Sequence, residues 1–163
     1  LVVTAGGPQS YVLAAELVAT NPSNKCAAGN PVLSLVQDNA VLLQSTTTGS
    51  GADMTVPTQT GQCEGFADPT GGTDIVYAVK PTATGTLTLK AKPETPKVLD
   101  AVLYVTTTCG DAGSSLKCAT AQAVGGIETF QVPVTADTVY YVVVDSAAGT
   151  SGNFSFTATL TVP

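Results

Sequence analysis

Any chemistry in this chain has to come from carboxylates, hydroxyls or cysteines, because its 163 residues include no histidine. Without an imidazole there is no serine–histidine or cysteine–histidine dyad and no histidine-based metal site. Paired carboxylates remain as a catalytic possibility, and Asp74, Asp100 and Asp145 each stand at the end of an apolar stretch. A carboxylate in that position more often accepts backbone N–H bonds in a turn. We therefore predict structural roles for all three and no catalytic residue.

The four cysteines, Cys26, Cys63, Cys109 and Cys118, are predicted to form two disulfides, because the chain has no CxxC pair and no histidine that would favour zinc. Three pairings are possible. Cys109 and Cys118 bracket a loop, 110–117, that brings its ends together, so the sequence favours Cys109–Cys118 and Cys26–Cys63. Oxidised cysteines indicate a secreted, extracellular or periplasmic protein.

Charge and composition exclude several classes of function. The net charge is −6, the six basic residues are all lysines, and only 11% of residues are charged. A nucleic-acid-binding protein needs a cationic stripe with stacking groups, and a membrane helix needs about 20 apolar residues. Neither pattern occurs, and no basic-then-apolar leader precedes Leu1. We expect a mature, soluble and turn-rich β protein with one main domain.

The elements that must position these residues are strands. The stretch Val139–Asp145 is β-branched and aromatic on both faces, which is typical of a central strand covered on both sides in a β-sandwich. The next run, Phe154–Val162, alternates strictly between apolar and polar residues after a Gly/Ser turn. These two runs are predicted to form a hairpin.

Six further strands are predicted from apolar runs, and the Gly- and Pro-rich stretch 52–73 is predicted to be turn, tethered by Cys63. Pro133 indicates an edge strand or a strand end. The predicted fold is an all-β, antiparallel, jelly-roll-like β-sandwich held by two disulfides. The six strands are Pro31–Leu35, Asn39–Ser45, Asp74–Val79, Gly85–Ala91, Ala101–Val105 and Thr129–Val134.

The tyrosines and the threonine triplets could form functional surfaces, but the sequence favours structural roles for both. Four tyrosines could form a ligand platform, yet they lie within apolar strands and are predicted to pack in the core. The threonine triplets 46–48 and 106–108 are predicted to be solvated strand ends. The tyrosines are Tyr77, Tyr104, Tyr140 and Tyr141.

Residues 1–24 stand apart from the sandwich predicted for 25–163. The run Tyr11–Ala19 is a strand or a short helix, and the all-β context favours a strand with Tyr11, Leu13, Ala15 and Leu17 on one face. Such a strand either completes the sheet of a neighbouring copy or folds back onto its own sandwich.

Three ordered motifs resemble the bacterial pre-peptidase C-terminal domain family over about Lys25 to Val162. They are Gly72–Val79, then Asp100–Val105 running into Cys109 and Cys118, then Thr138–Asp145 with Gly152-Asn153-Phe154. The resemblance implies a non-catalytic jelly-roll-like β-sandwich of secreted proteases or bacterial cell-surface proteins. Some relatives bind calcium through acidic loops, but here Cys118-Ala119-Thr120-Ala121 offers no carboxylate, so no cofactor is predicted.

Two functions follow as expectations. The first is a secreted or cell-surface structural protein that binds copies of itself or other surface proteins and assembles into filaments by exchange of the N-terminal strand. The alternative is an accessory module that docks a secreted enzyme or adhesin onto protein or polysaccharide.

Overall fold

The computed structural model describes residues 25–26, 31–64, 66–67, 72–95, 97–120, 123–147 and 149–163. Within these residues, nine strands form two sheets that pack face to face, and one 3₁₀ turn covers Ala112–Ser114. The strands are β1 (Val32–Leu35), β2 (Val41–Thr46), β3 (Ile75–Pro81), β4 (Gly85–Pro93), β5 (Ala101–Thr106), β6 (Ser115–Ala119), β7 (Glu128–Val134), β8 (Tyr140–Ser146) and β9 (Asn153–Thr161). The predicted β-sandwich is confirmed.

The five-stranded sheet has the order β1-β3-β8-β5-β6, and β8 lies at its centre as its two apolar faces predict. Its neighbours β3 and β5 are antiparallel to it and are also buried on both faces. Only the outer pair β1 and β3 is parallel. A strand that is apolar on both sides needs cover on both sides, and this sheet has it.

The four-stranded sheet has the order β2-β9-β4-β7 and is antiparallel throughout. Its strands alternate buried and solvent-facing residues, so Leu87, Leu89 and Ala91 of β4 face the core as predicted. Pro133 lies on β7, an edge strand, because proline cannot donate to a second neighbour. The inner face of this sheet meets the other across one main core, where Tyr77 stacks on Phe156 at 4.5 Å.

The predicted hairpin of β8 and β9 is wrong, because the two strands belong to different sheets. Both sides of β8 are already occupied by β3 and β5, so β9 crosses to the opposite layer and pairs with β2 and β4. The crossing is fixed at Gly152, whose N–H donates to the Thr47 hydroxyl while its carbonyl accepts the Thr47 N–H. Thr47 is consequently buried, and so is Thr106, which corrects the prediction of solvated triplets at these two positions.

Both disulfides form, but the predicted pairing is wrong: the bonds are Cys26–Cys109 and Cys63–Cys118. The stretch 110–117, predicted to be a loop, contains the start of β6. Pairing of β6 with β5 places Cys118 opposite Tyr104, while Cys109 lies at the hairpin tip beyond the last pair, Thr106 with Ser115; Cys118 is three residues, about 10 Å of strand, back from that pair. Cysteines in a disulfide have Cα atoms about 5.5 Å apart, so these two cannot bond.

A second, smaller core lies on the outer face of the five-stranded sheet. The described residues of segment 47–67 contain no strand, which agrees with the turn structure predicted for 52–73 where the two ranges overlap, and Met54, Val56 and Cys63 of this segment cover the face. They pack on Val76, Val102, Tyr104 and Val143 of the sheet. The Cys63–Cys118 bond fastens the segment to β6, so Cys63 does tether it, through a different partner from the one predicted.

Residues 1–24, with the candidate assembly strand Tyr11, Leu13, Ala15 and Leu17, lie outside the described residues. In the part of the chain that is described, no helix has the length and apolar character to cross a membrane.

Candidate functional site

Two of the three aspartates singled out in the sequence come together beneath the covering segment. Ile75 of β3 pairs with Val144 of β8, so Asp74 and Asp145 stand one residue beyond that pair on neighbouring strands. Both side chains are buried. The Tyr104 hydroxyl, from β5 on the other side of β8, donates to Asp145 Oδ2 at 3.4 Å. These three residues form a buried polar cluster.

Hydrogen bonds give this cluster a structural role. Asp74 Oδ2 accepts the N–H groups of Asp53 at 2.7 Å and Met54 at 2.9 Å, which fixes the start of the covering segment onto the sheet. Asp145 Oδ1 accepts the N–H of Ser146 at 2.7 Å. The predicted role of these two carboxylates as acceptors of backbone N–H bonds is confirmed.

Burial sets the electrostatics of the cluster. Asp74 Oδ1 has no hydrogen-bond partner among the described residues, and loss of hydration raises the pKa of Asp74 above its ordinary value despite the two backbone N–H donors. Burial also raises the pKa of Tyr104, and the negative charges of Asp145 and Asp74 raise it further. The Tyr104 hydroxyl therefore stays protonated and remains a donor at physiological pH.

Asp100 is separate from this cluster. Its carbonyl accepts the N–H of Ala147 at 2.8 Å and its N–H donates to Thr150 Oγ1, so it belongs to the β8–β9 crossing. Burial raises the pKa of its carboxyl group. Asp74 and Asp145 thus lie in one buried cluster, whereas Asp100 lies at a turn.

The described residues contain no group of three or more His, Cys, Asp or Glu side chains able to hold a metal ion. One small cavity lies beside Tyr104 under the covering segment, with a volume of about 10 Å³. That is roughly the space one water molecule needs. Its lining includes Thr106, Gly110 and Val143.

A different kind of candidate site lies on one lateral side of the sandwich, where β1 and β2 form the edges of their two sheets. A short connection, 36–40, joins the two strands; Gln37 in this connection bridges to Leu160 of β9, and β1 also contacts β9. Three aliphatic side chains of these elements are largely exposed, Val32 by 47%, Val36 by 50% and Leu42 by 55%; Val32 and Leu42 alternate with core-facing residues and therefore lie on the outer faces of the two different sheets. We call this region, β1, β2 and their connection, the open side.

The interior is also incompletely covered at the open side. Leu33 of β1 and Val41 of β2 point toward the main core and pack against it, but both remain partly exposed. Residues at equivalent depth in the middle of the sheets, such as Leu103 and Ala158, are fully buried. The open side is therefore a seam between the two layers.

The opposite lateral side is protected. There β6 contacts β7, the Gln62 side-chain amide donates through Nε2 to the Ser115 carbonyl and accepts through Oε1 from the Ser115 hydroxyl, and the Cys63–Cys118 bond crosses the outer face of β6. Lys117 adds a charge to β6, and Pro133 removes a donor from β7. Such charges, prolines and covering loops are the usual means by which edge strands avoid pairing with other chains. Neither β1 nor β2 contains a charged residue or a proline.

The outer face of the four-stranded sheet carries mainly hydroxyl side chains, arranged by the strand register in rows. Thr88 lies opposite Thr159, and Lys90 lies opposite Thr157. No carboxylate occurs among the members of this hydroxyl-lined face. The members are Thr86, Thr88, Lys90, Lys92, Thr129, Gln131, Ser155, Thr157, Thr159 and Thr161.

Sequence reasoning placed all four tyrosines correctly: Tyr77, Tyr104 and Tyr140 are buried, and Tyr141 packs partly against the outer cluster. Burial raises the pKa of Tyr77 to about 12. The open side was not predicted from the sequence, because whether a strand lies at an edge depends on which strands pair. The signal present was the lack of any charge or proline in Val41–Thr46, the longest such stretch among the four edge strands.

Fold and cysteines together define a β-sandwich module with two disulfides, which is typical of proteins that mature outside the cytoplasm. No protein-family model matches the chain, and no curated protein sequence matches it.

Several solved structures are similar to this chain at low TM-score and low sequence identity. The pre-peptidase C-terminal domain of collagenase from Bacillus anthracis has a TM-score of 0.43 and 9% identity, covering 82% of this chain and 97% of that one. PliG from Aeromonas hydrophila, a periplasmic inhibitor of g-type lysozyme, has a TM-score of 0.42 and 12% identity, with coverages of 79% and 96%. CBM35 from Cellvibrio japonicus Abf62 has a TM-score of 0.39 and 16% identity, with coverages of 76% and 95%. At these values no family assignment follows.

Proposed function

We propose that this chain is a non-catalytic, extracytoplasmic binding module that takes up an extended segment of a protein partner at its open side. The observation that carries the proposal is the contrast between the protected edges β6 and β7 and the uncharged, proline-free edge β2 beside exposed Val32, Val36 and Leu42. A cell-surface setting, where such modules meet other surface proteins, is part of the proposal.

Edge pairing is a direct way to recognise an extended segment. The outer edge of β2 carries a row of backbone N–H and C=O groups, since within the described residues β2 pairs with β9 alone. An added strand hydrogen-bonds to that row, and its alternate side chains supply specificity. Side chains directed inward cover Leu33 and Val41, and those directed outward pack beside Leu42.

The non-catalytic part of the proposal rests on how the buried carboxylates are used. Asp74 and Asp145 are engaged by the backbone of 53–54 and 146 and by Tyr104, beneath a segment that a disulfide holds in place. Their hydrogen bonds maintain the second core, and a substrate could reach them only if that segment were lifted away.

Site-specific photo-crosslinking tests the proposal. The photoreactive amino acid p-benzoylphenylalanine is placed at Leu42 in the full chain, in producing cells, with Gln131 of β7 as the matched position on the opposite edge of the same sheet. We expect a crosslinked polypeptide at Leu42, identified by mass spectrometry as one defined segment, and none at Gln131. Absence of any crosslink at Leu42, or equal crosslinking at both positions, would refute the proposal.

The hydroxyl-lined face favours a second candidate, docking onto a polysaccharide. Its rows of donors and acceptors, with Lys90 and Lys92 and no carboxylate, suit a polymer of repeated hydroxyl groups. Cosedimentation with insoluble cellulose, chitin and peptidoglycan measures this. Binding should fall at least tenfold in Thr88→Val/Thr159→Val and stay unchanged in Thr107→Val, a threonine exposed in the β5–β6 hairpin. Equal retention of all three proteins would exclude this face.

A further inference from the structure

We propose that the segment bound at the open side is Tyr11–Ala19 of another copy of this chain, so that each copy donates its N-terminal strand to the next. This inference rests on the proposed function and adds the identity of the partner. The acceptor is the outer edge of β2. The side chains of the donated strand would cover Leu33 and Val41, which are partly exposed at the open side.

The donor segment has the properties the open side requires. Tyr11–Ala19 contains one charged residue, Glu16, and no proline, and places Tyr11, Leu13, Ala15 and Leu17 on one face of a strand. Nine residues in a strand extend about 30 Å, enough to follow the whole of β2. Alternate apolar side chains on such a strand match a seam that is apolar inside and open to solvent outside.

The position of Cys26 places the start of the donor segment on the outer face of the five-stranded sheet, where Cys26 lies 3.9 Å from Met54, and not at the open side. Residues 1–24 precede Lys25 and Cys26, and Cys26 is bonded to Cys109 at the tip of the β5–β6 hairpin. In the five-stranded sheet, β5 is separated from the open side at β1 by β8 and β3. Three strand spacings amount to about 14 Å.

A donor segment that starts on the outer face of one sheet and an acceptor at the open side are different surfaces, so they make a heterologous contact. Contacts of this kind give rings where the rotation closes and filaments where it does not. Assembly beyond a dimer is therefore the expected state of the intact chain.

Two full-length variants and their mixture test the inference. The donor variant, Leu13→Asp/Leu17→Asp, puts charges on the face that enters the seam. The acceptor variant, Val36→Lys/Leu42→Lys, puts charges on the open side. Matched controls add the same charges elsewhere: Thr20→Asp/Asn21→Asp in the N-terminal segment and Val124→Lys/Gln131→Lys around β7. Circular dichroism and disulfide content confirm that each protein is folded.

Size-exclusion chromatography with light scattering and negative-stain electron microscopy give the readout. We expect wild type and both controls to form assemblies larger than a dimer, and each variant alone to remain a monomer, with at least a tenfold fall in the assembled fraction. Mixing the variants should yield 1:1 complexes and nothing larger, since only one donor and one acceptor are intact.

Two outcomes overturn the inference. A monomeric wild type means that the segment folds back onto its own copy or stays unpaired, and assembly that survives in both variants means that another surface joins the copies. Failure of the inference leaves the proposed function separately testable, because a crosslink from Leu42 to a different protein would support binding at the open side without strand donation.

Discussion

The two outer faces of this sandwich are built on opposite plans. The face of the five-stranded sheet carries a second core, closed by segment 47–67, by the Cys63–Cys118 bond and by the buried Asp74–Asp145–Tyr104 cluster. The face of the four-stranded sheet is bare and hydroxyl-lined. The difference shows that in one small domain some strands are stabilised from both sides and others from one, so equal substitutions on the two faces should have unequal effects.

Among the variants considered, removal of the Cys63–Cys118 disulfide should lower the free energy of unfolding the most. In Cys63→Ser/Cys118→Ser the unfolded chain loses a crosslink between residues separated by 55 positions. The gain in conformational entropy of the unfolded chain corresponds to about 4 kcal/mol of lost stability. Denaturant unfolding should show a fall in the free energy of unfolding of that order. An unchanged midpoint would show that the covering segment is held by packing alone.

Gly72→Ala should cause the second-largest fall in the free energy of unfolding. Gly72 is buried against the end of β8, where an added Cβ would overlap the carbonyl oxygen of Ser146 and lie 2.5 Å from Asp145 Oδ1. Backbone atoms in a ladder have little room to shift, so we expect the free energy of unfolding to fall by about 3 kcal/mol. In the control Gly49→Ala no atom lies within 4 Å, and the positive φ alone should cost roughly 1 kcal/mol. Equal losses in the two variants would contradict the close contact.

Asp74→Asn should change the pH dependence of stability. The pKa of Asp74 is raised in the folded state above its ordinary 3.8, so its contribution to stability is fully present below that value and is lost as pH rises through the folded pKa. Asparagine does not titrate and keeps an oxygen that can accept the N–H groups of Asp53 and Met54. Unfolding free energies measured from about pH 3 to about pH 8 should decline with rising pH more steeply in wild type than in the variant. Parallel curves would show that Asp74 contributes no such linkage.

Thr159→Ala, in the middle of the hydroxyl-lined face, should have the smallest effect. Its side chain faces solvent from β9 and no buried contact is lost, so the free energy of unfolding should change by less than about 0.5 kcal/mol. Chemical denaturation alongside Gly72→Ala measures the contrast. A loss above 1.4 kcal/mol, a tenfold change in the folding equilibrium constant, would mean that this face is also covered.

The sequence predicts the layers of this fold better than its connections. Double-sided apolar runs such as Val139–Asp145 identify strands that need two covers, and strict alternation in Phe154–Val162 identifies a strand with one solvent face. Pairing is less accessible, because it depends on which neighbours a strand already has. For that reason the β8–β9 hairpin was wrongly predicted.

The cysteine pairing failed for a related reason. Sequence proximity favoured Cys109–Cys118, but β6 was not recognised: Ser115–Ala119 is short and contains Lys117, so its pattern is weak. The open side was not predicted either: Val41–Thr46 carries no charge or proline, but its edge position follows from its pairing with β9, and that pairing depends on the crossing of β9 to the other sheet. Asp74 and Asp145, by contrast, were correctly predicted as acceptors of backbone hydrogen bonds, because aspartates at strand ends commonly serve that purpose.

The Cys26–Cys109 bond determines how the domain responds to tension. A pull on the chain before Lys25 enters the folded domain at Cys26 and passes through the covalent bond to Cys109, and the 83-residue separation between the two cysteines cannot be extended while the bond is oxidised. About 280 Å of contour length is thereby locked. Strands β1 to β5 all lie within the locked stretch, so of the strands only β6 to β9, which follow Cys109, can be unfolded by such a pull while the bond is intact.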